Sequence, residues 1–268
     1  MPLSKHVLVR NNVQVVGTGS QTLVFAHGFG TDQTAWQHQV TALAPYYRIV
    51  LFDHVGMGHS LSTAYSPERY RTLAAYAEDM LEVLEVLNIG TCSYVGHSVS
   101  GMMGVLAALV EPERFERCVL LSASPRYLND PPYIGGFEQA DLNELYQAME
   151  SNYATWVGMF APLTIGNPER LDLGHEFART LAAMRPDIAR NLARVIFQCD
   201  YRAVLPRMNV PTLLLQAQFD SAVPMEVAVY LAQELPRSEL RVLQANGHLL
   251  HMSAPEIVTA AIQEFLAG

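Results

Sequence analysis

The sequence lacks the features that define membrane, nucleic-acid-binding and disulfide-rich proteins. It has three cysteines in 268 residues (Cys92, Cys118 and Cys199), too few for a disulfide framework and too scattered for a zinc site. Lysine and arginine total 17 against 26 acidic residues, and no basic tract is available to bind phosphates. No apolar run is long enough to cross a bilayer, and the N-terminus does not read as a signal peptide. These absences predict a cytoplasmic globular protein that binds neither nucleic acid nor membrane.

Short apolar runs alternate with amphipathic stretches in the first half of the chain. Four of the runs are typical of buried strands: TLVFAHG, RIVLFD, CSYVGHS and CVLLSAS. Between the second and the third, Tyr76, Met80 and Leu84 recur at helical spacing, and Gly90 supplies a stop. Strand and helix in repetition predict an α/β fold, with a mostly parallel sheet and helices on both of its faces.

A long insertion interrupts this alternation. The next convincing strand, PTLLLQAQ, begins near Pro211, about ninety residues after CVLLSAS. A strand–helix–strand crossover takes only about 30 residues, so the intervening segment has structure of its own. It reads as three or four helices, punctuated by Pro162 and Pro186, that form a lid over one edge of the sheet. We therefore predict an α/β core at 1–125 and 206–268 and an inserted helical lid at 126–205.

Three reactive side chains follow predicted strands in the order serine, aspartate, histidine. Ser98 follows CSYVGH, Asp220 follows TLLLQAQF, and His248 follows LRVLQANG. The carboxyl ends of parallel strands share one edge of a sheet, and this chain order is that of an α/β-hydrolase triad. In such a triad the histidine accepts the serine proton, and the acid fixes the tautomer of the histidine. We predict these three residues to be the catalytic triad.

The nucleophile motif departs from G-x-S-x-G, because Ser100 stands where the second glycine is expected. Glycine is usual there since the strand-to-helix turn is strained and the helix packs closely, and serine is the next smallest polar residue. Gly96, the first glycine of the motif, is present. Asp53 and Asp200 are weaker candidates for the acid, and His251 is the nearest alternative base.

An acyl-transfer site also needs two backbone N–H groups directed at the developing oxyanion. Val99, directly after the nucleophile, would supply one of them. Phe29 would supply the other, in a loop where Gly28 and Gly30 give the backbone room to turn. No metal or organic cofactor is implied, because His27, His54 and His97 do not show zinc-ligand spacing with acidic partners, and the glycines of HGFG and VGMGHS fit no dinucleotide or phosphate-loop pattern.

Motifs along nearly the whole chain, the lid included, resemble the group that contains bacterial RsbQ-type stress regulators and the plant karrikin and strigolactone receptors. The segments that carry this likeness are HGFGTDQTAW, GHSVSGMMG, SASPRYLND, GGFEQADLN, SNYATW, FAPL, RTLAAMRPDIA, IFQCD and NGHLLHMSAP. Serine at position 100 matches the receptor branch, where GHSVS is usual. The stretch DHVGMGHS departs from the plant karrikin-type pattern, and for that reason we favour a bacterial RsbQ-type protein.

The resemblance implies the α/β-hydrolase fold with a V-shaped lid of four helices above a closed apolar pocket. It implies the same triad and the same two oxyanion donors, Phe29 and Val99. The matching positions expected to line the pocket are Phe29, His97, Tyr127, Phe137, Leu145, Trp156, Phe160, Phe197, Ser221 and Ala222. An aromatic lid above a serine favours a small apolar ester or lactone over a peptide or a sugar.

Two classes of function remain open at this point. In one, the protein is an ester or lactone hydrolase that forms an acyl-enzyme on Ser98. In the other, it is a slowly turning receptor whose lid responds to the ligand and binds a protein partner, such as a phosphatase in stress signalling. Related chemistry, such as C–C bond hydrolysis or perhydrolysis, is a weaker third option, and dehalogenation is disfavoured because it uses an aspartate nucleophile. No heptad or apolar stripe indicates an oligomer, so we expect a monomer.

Overall fold

The structure, a computed structural model, describes residues 3–268. Within that range the chain forms one sheet of seven strands. The strands are β1 (Gln14–Val16), β2 (Thr22–Ala26), β3 (Arg48–Phe52), β4 (Cys92–His97), β5 (Phe115–Leu121), β6 (Thr212–Phe219) and β7 (Ser238–Asn246). The α-helices are α1 (Leu3–Arg10), α2 (Gln37–Leu43), α3 (Ala74–Val86), α4 (Val99–Val110), α5 (Gln139–Ser151), α6 (Tyr153–Ile165), α7 (Leu171–Ala183), α8 (Pro186–Phe197), α9 (Met225–Glu234), α10 (Leu250–Ser253) and α11 (Pro255–Ala267).

The strands lie in the order β1-β3-β2-β4-β5-β6-β7, and every neighbouring pair except β1 and β3 is parallel. The predicted mostly parallel sheet with helices on both faces is thus confirmed. From β2 the chain runs outward to β3 and then returns to β4 on the other side of β2. The carboxyl ends of β2 and β4 therefore flank a topological switch point, where open α/β sheets bind their ligands.

Both faces of the sheet are buried, because alternate residues of the central strands enter two separate cores. On β2, Leu23 and Phe25 join the core that contains residues of α2 and α11. Val24 and Ala26 enter the larger core, which contains residues of α3, α4 and the lid helices. Since successive strand side chains point to opposite faces, a strand covered on both faces reads as a continuous apolar run.

Helix α4 packs very closely on the sheet, as its small residues predict. A Cβ atom added at Gly104 would lie 2.1 Å from the Tyr94 ring, and one at Gly101 would lie 2.5 Å from Cβ of Ala123. Both separations are far below van der Waals contact, so larger side chains would push the helix away from β4 and β5. This close approach fixes the N-terminus of α4, and with it the turn that carries Ser98.

Two residues that were predicted to mark the ends of helices, Gly90 and Pro162, do not do so. Helix α3 ends at Val86, and Asn88 rather than Gly90 adopts a left-handed conformation, with φ of 53°. Asparagine reaches this conformation more easily than other non-glycine residues, so the stop falls earlier than the glycine indicates. Pro162 lies inside the last turns of α6, where it removes one backbone donor, whereas Pro186 is the first residue of α8 as expected.

The inserted segment between β5 and β6 contains the four helices α5 to α8. Helix α6 packs against α7, and α5 packs against both α6 and α8. The exact division into a core at 1–125 and 206–268 and a lid at 126–205 stays a prediction. Across residues 3–268, no helix combines the length and the apolar character that a membrane span requires.

Candidate active site

Ser98 occupies a strained turn between β4 and α4. Its backbone has φ of 56° and ψ of −124°, an unfavourable conformation for a residue with a side chain. Gly96 makes the turn possible, because a Cβ atom there would lie 2.7 Å from the Tyr94 ring and 2.8 Å from the Ser100 carbonyl oxygen. The local geometry is that of a nucleophile elbow, in which a sharp strand-to-helix turn presents the serine hydroxyl at the edge of the sheet.

The structure brings Ser98, His248 and Asp220 into one hydrogen-bonded chain. Nε2 of His248 lies 2.7 Å from Oγ of Ser98. Nδ1 of the same ring lies 3.0 and 3.1 Å from the two carboxylate oxygens of Asp220. With Nδ1–H donating to the carboxylate, Nε2 is free to accept the serine proton, which is the tautomer that nucleophilic catalysis needs.

Asp220 is held as a carboxylate, and its side chain is buried although the loop after β6 that carries it is partly exposed. Burial opposes its ionisation, but His248 and the backbone N–H groups of Ala222 and Val223 outweigh it and lower the pKa of Asp220. These two N–H groups donate to the same carboxylate oxygen at 2.8 and 3.0 Å. The side chain is thus charged and fixed in orientation where it faces His248.

The loop after β2 packs directly against the nucleophile. A Cβ atom at Gly28 would lie 2.5 Å from Nδ1 of His97 and 3.3 Å from Cβ of Ser98, so glycine permits this approach. Gly30 turns the backbone with φ of 77°. Within residues 3–268, the Phe29 N–H makes no backbone or side-chain hydrogen bond, and Val99 opens α4, where N–H groups have no helical acceptor. Both N–H groups are therefore available for the predicted oxyanion role.

Ser100, the departure from the glycine pattern, is fully buried and hydrogen-bonded. Its Oγ–H donates to the His27 carbonyl at 2.5 Å, and Nε2 of His54 lies 2.7 Å from the same oxygen. Because the hydroxyl proton is used on His27, His54 must donate from Nε2. The serine therefore ties the α4 turn to the carboxyl end of β2, which a glycine could not do.

A small, mostly apolar cavity of about 30 Å³ lies above Ser98. Six of the ten predicted pocket positions line it: Phe29, His97, Tyr127, Phe160, Phe197 and Ala222. The Tyr127 hydroxyl lies 3.4 Å from Oγ of Ser98, and burial raises the pKa of this phenol, so it remains a neutral hydrogen-bonding group.

Four predicted pocket positions, Phe137, Leu145, Trp156 and Ser221, do not line the cavity. Phe137 and Trp156 form a second layer, packing on Phe197 at 5.5 Å and on Phe160 at 4.7 Å between ring centroids. Leu145 packs against the larger core. Ser221 is turned away and donates from Oγ to the Leu163 carbonyl at 3.1 Å.

Thr164, Phe177, Ile196 and Leu249 line the cavity although they were not predicted to do so. The first three are on lid helices α6, α7 and α8. Each of these helices has several apolar residues at helical spacing, and the sequence does not indicate which of them face the cavity. Leu249 directly follows His248, and this adjacency is the signal that could have identified it.

The weaker candidates for the catalytic acid and base make contacts elsewhere, outside the Ser98–His248–Asp220 chain. Asp53 is fully buried and accepts N–H groups from Gln33, Asn12 and His59 at 2.8 to 2.9 Å, which fixes loops around β3. His251 stacks on Trp36 at 4.2 Å between ring centroids, and burial lowers its pKa to about 3. Asp200 pairs with arginines in the lid. In the described part of the chain, no three His, Cys, Asp or Glu side chains are arranged so that they could hold a metal ion.

The fold and the catalytic geometry define a class. The chain belongs to the α/β-hydrolase family, because residues 21–255 match the model of the family whose description is 'alpha/beta hydrolase fold'. The predicted fold class is confirmed by this match and by the sheet order.

Several known proteins are similar to this chain over almost its whole length. The chain is 48% identical to karrikin insensitive 2 receptor CA of Petunia hybrida, with 92% of each sequence covered. It is 42% identical to strigolactone esterase D14 of Arabidopsis thaliana, with 98% of each covered. Among solved structures, the hydrolase olei00960 from Oleispira antarctica matches with a TM-score of 0.96 at 35% identity, over 99% of this chain and 97% of that one.

The preference for a bacterial RsbQ-type protein is not supported by these relatives. It depended on the eight residues of DHVGMGHS, whereas the likeness to the Petunia receptor extends over 249 residues. A difference in one short loop is weaker evidence of relationship than sequence identity along both the core and the lid.

Proposed function

We propose that this protein is a serine hydrolase that cleaves a small apolar ester or lactone through an acyl-enzyme on Ser98. The observation that carries the proposal is the unbroken chain from Oγ of Ser98 through His248 to Asp220, with each contact between 2.7 and 3.1 Å. Such a chain lets the histidine accept the serine proton while the carboxylate stabilises the resulting imidazolium.

The reaction follows from this arrangement in two stages. Oγ of Ser98 attacks the carbonyl carbon as its proton passes to Nε2 of His248, and the Phe29 and Val99 N–H groups stabilise the tetrahedral oxyanion. His248 then gives the proton to the departing alkoxide, which leaves an acyl group on Ser98. Water, deprotonated by His248, attacks this ester and releases the acid. In a lactone the alkoxide stays attached to the acyl group, so both leave together as one hydroxy acid.

The cavity lining supports an apolar substrate of small size. Phe29, Phe160, Phe177, Ile196 and Phe197 surround the space above Ser98, and no charged side chain outside the triad lines it in the described structure. Burying a charged substrate group among these side chains would be unfavourable without a partner. The neutral Tyr127 hydroxyl, 3.4 Å from Oγ of Ser98, is placed to contact a carbonyl or ring oxygen of a bound ester.

A second candidate function is that of a slow receptor, in which occupation of the site matters more than turnover. The cavity of about 30 Å³ is far smaller than a typical ligand pocket, so we expect a bound ester to displace lining side chains, several of which are on α6, α7 and α8. Occupation would therefore change the lid, and the Petunia relative at 48% identity is named as a receptor. A protein partner that reads the lid, including a phosphatase-type partner in stress signalling, stays a prediction, as does the monomeric state.

A stopped-flow experiment with p-nitrophenyl acetate tests the proposal and separates the two candidates. The wild-type protein is compared with Ser98→Ala and with Ser151→Ala, a matched substitution at an exposed position at the end of α5. We expect Ser98→Ala to abolish nitrophenol release and Ser151→Ala to preserve it. A steady rate would favour the hydrolase, and a burst equal to the protein concentration followed by slow release would favour the receptor. Equal rates for wild type and Ser98→Ala would contradict the proposal.

A further inference from the structure

The peptide group between Gly28 and Phe29 contains the Phe29 N–H, which is the predicted oxyanion donor. The carbonyl of the same peptide group, that of Gly28, accepts hydrogen bonds from two residues. The Gly28 carbonyl accepts from Nδ1–H of His27 at 2.9 Å, from Oγ1–H of Thr31 at 3.0 Å and, at the longer distance of 3.4 Å, from the Thr31 backbone N–H. Because a trans peptide is planar, its N–H points opposite to its carbonyl. Groups that hold the Gly28 carbonyl away from the site therefore direct the Phe29 N–H towards it.

The tautomer of His27 supports this assignment of donors. Nε2 of His27 accepts the backbone N–H of His54 at 3.2 Å, so in the neutral ring the proton is on Nδ1. Nδ1–H is then the donor to the Gly28 carbonyl. Thr31 is only 3% exposed, and His27 is fully buried, so water does not compete freely for these bonds.

The preceding peptide is held in the same way. The His27 carbonyl accepts Oγ–H of Ser100 at 2.5 Å, and Ser100 in turn accepts from Nε2 of His54 at 2.7 Å. Two successive carbonyls of the loop are thus fixed by side-chain hydroxyls, one from the loop itself and one from α4.

Such restraint matters because the loop has little stiffness of its own. Gly28 has no Cβ, and the loop continues through Gly30 at a φ of 77°. Glycine adopts both signs of φ readily, so rotation of the Gly28–Phe29 peptide meets little steric resistance from its own residue. A rotated peptide would present a carbonyl oxygen, not a donor, to the oxyanion.

We infer that Thr31 is a positioning residue for the oxyanion hole, and that Ser100 is a second one. The Thr31 hydroxyl holds the Gly28–Phe29 peptide with its N–H towards Ser98, and the Ser100 hydroxyl holds the peptide before it. Neither side chain touches the substrate. The inference rests on the proposed hydrolase function, and it explains why a serine occupies the position of the second motif glycine.

Thr31→Val tests the inference, because valine has nearly the shape of threonine and lacks the hydroxyl donor. Thr31→Ser keeps the donor and should restore activity. Thr212→Val is the matched control, since Thr212 is also buried and donates Oγ1–H to a carbonyl, that of Val210 at 2.9 Å, at the opposite end of the sheet. All variants are measured with p-nitrophenyl acetate and with a fluorophosphonate, which phosphonylates an activated serine and needs the same oxyanion donors.

We expect Thr31→Val to lower kcat and the rate of phosphonylation of Ser98 by about 10- to 100-fold, part of the loss seen when an oxyanion donor is removed outright. KM should change by less than about twofold, because the donor acts in the transition state. Thr31→Ser should lie within about threefold of wild type by the same reasoning. Ser100→Ala should lower kcat in the same direction, and Thr212→Val should leave both rates unchanged.

A folded Thr31→Val protein with wild-type kcat would overturn the inference while leaving the proposed function intact. So would a rise in KM at unchanged kcat, which would indicate a role in ground-state binding alone. If Thr31→Val does not fold, as judged by circular dichroism, Ser100→Ala decides, and an unchanged kcat in that variant overturns the inference. A wild-type protein that neither hydrolyses the ester nor is labelled at Ser98 would overturn the proposed function and the inference together.

Discussion

Opposing physical effects set the charge of Asp220, the proposed acid of the triad. Burial disfavours a carboxylate, yet three neighbouring donors favour it: the His248 ring and the N–H groups of Ala222 and Val223. Because the net effect lowers its pKa, the side chain is charged throughout the neutral range. The charge fixes Nδ1–H of His248, and this leaves Nε2 free to accept a proton, as the proposed mechanism requires.

Asp220→Asn should therefore impair catalysis without abolishing the fold. An asparagine can present its amide N–H to Nδ1, which would favour the wrong tautomer of His248, and we expect kcat to fall by about 10⁴-fold at neutral pH. Steady-state ester hydrolysis measures the effect. Asp172→Asn, at an exposed carboxylate paired with Arg170, is the control and should retain full activity. Loss in the control, or a fall of less than about tenfold in Asp220→Asn, would contradict the assigned role.

At the residue scale, the sequence predicts that the three triad residues lie close together, but it does not predict the hydrogen bonds of the residues around them. Ser98, Asp220 and His248 could be placed together because each follows a buried strand of one parallel sheet. The contacts of Ser100 with His27 and His54 could not be predicted, because they depend on side-chain rotamers between elements 46 and 73 residues apart.

At the scale of elements, a cluster of ion pairs joins the segment before the lid helices to the segment after them. Arg202, after α8, contacts Asp200 at 2.7 Å and Asp130, before α5, at 2.6 Å. Arg126 contacts Asp200 at 3.0 Å. The Tyr201 N–H also donates to the Pro125 carbonyl at 2.9 Å. These contacts join the start of the lid to its end, so they restrict the separation of the two segments.

Arg202→Gln should loosen this connection. The pairs are partly exposed, so we expect a loss of at most about 1 kcal/mol in the free energy of unfolding, together with faster amide exchange in α5 to α8. Hydrogen–deuterium exchange at low and at high salt measures the change, and salt should weaken the wild-type cluster in the same direction. Arg185→Gln is the control, because Arg185 pairs at 2.7 Å with Asp187, two residues away, and connects no distant segments. Equal exchange in both variants would contradict the role of the cluster.

The lid is also where prediction from sequence was least complete. Its helices could be predicted from spacing, but the residues that face the cavity depend on how α5 pairs with α8 and α6 with α7. Trp156 and Phe160 are four residues apart on one face of α6, and only Phe160 reaches the cavity, while Trp156 stacks behind it. A rotation of one helix by a few tens of degrees would exchange such neighbours, and periodicity alone does not specify it.

At the scale of the whole molecule, three buried histidines link stability to pH. Burial, and after it the neighbouring histidines, lower the pKa values of His54, His97 and His251 below the ordinary 6.5, that of His251 to about 3. In the unfolded chain all three regain ordinary pKa values. Below pH 6.5 the unfolded state therefore binds more protons than the folded state, and the free energy of unfolding decreases as the pH falls. From about one pH unit above 6.5 these histidines are almost entirely neutral in both states and contribute almost no slope.

We accordingly expect stability to be nearly constant from pH 8 to 7 and to decrease as pH falls from 6.5 towards 3. Each histidine costs about 1.4 kcal/mol per pH unit in that window, so the three together give a slope of up to about 4 kcal/mol per unit. Urea unfolding at pH 7.5, 6.0, 5.5 and 5.0 measures the slope. His251→Leu removes one of the three groups and should reduce the slope by about a third whatever its effect on stability at pH 7.5. His175→Gln, at an exposed histidine of α7, should leave the slope unchanged. A flat profile between pH 6.0 and 5.0, or the same slope in His251→Leu as in His175→Gln, would show that these histidines are not held neutral by the fold.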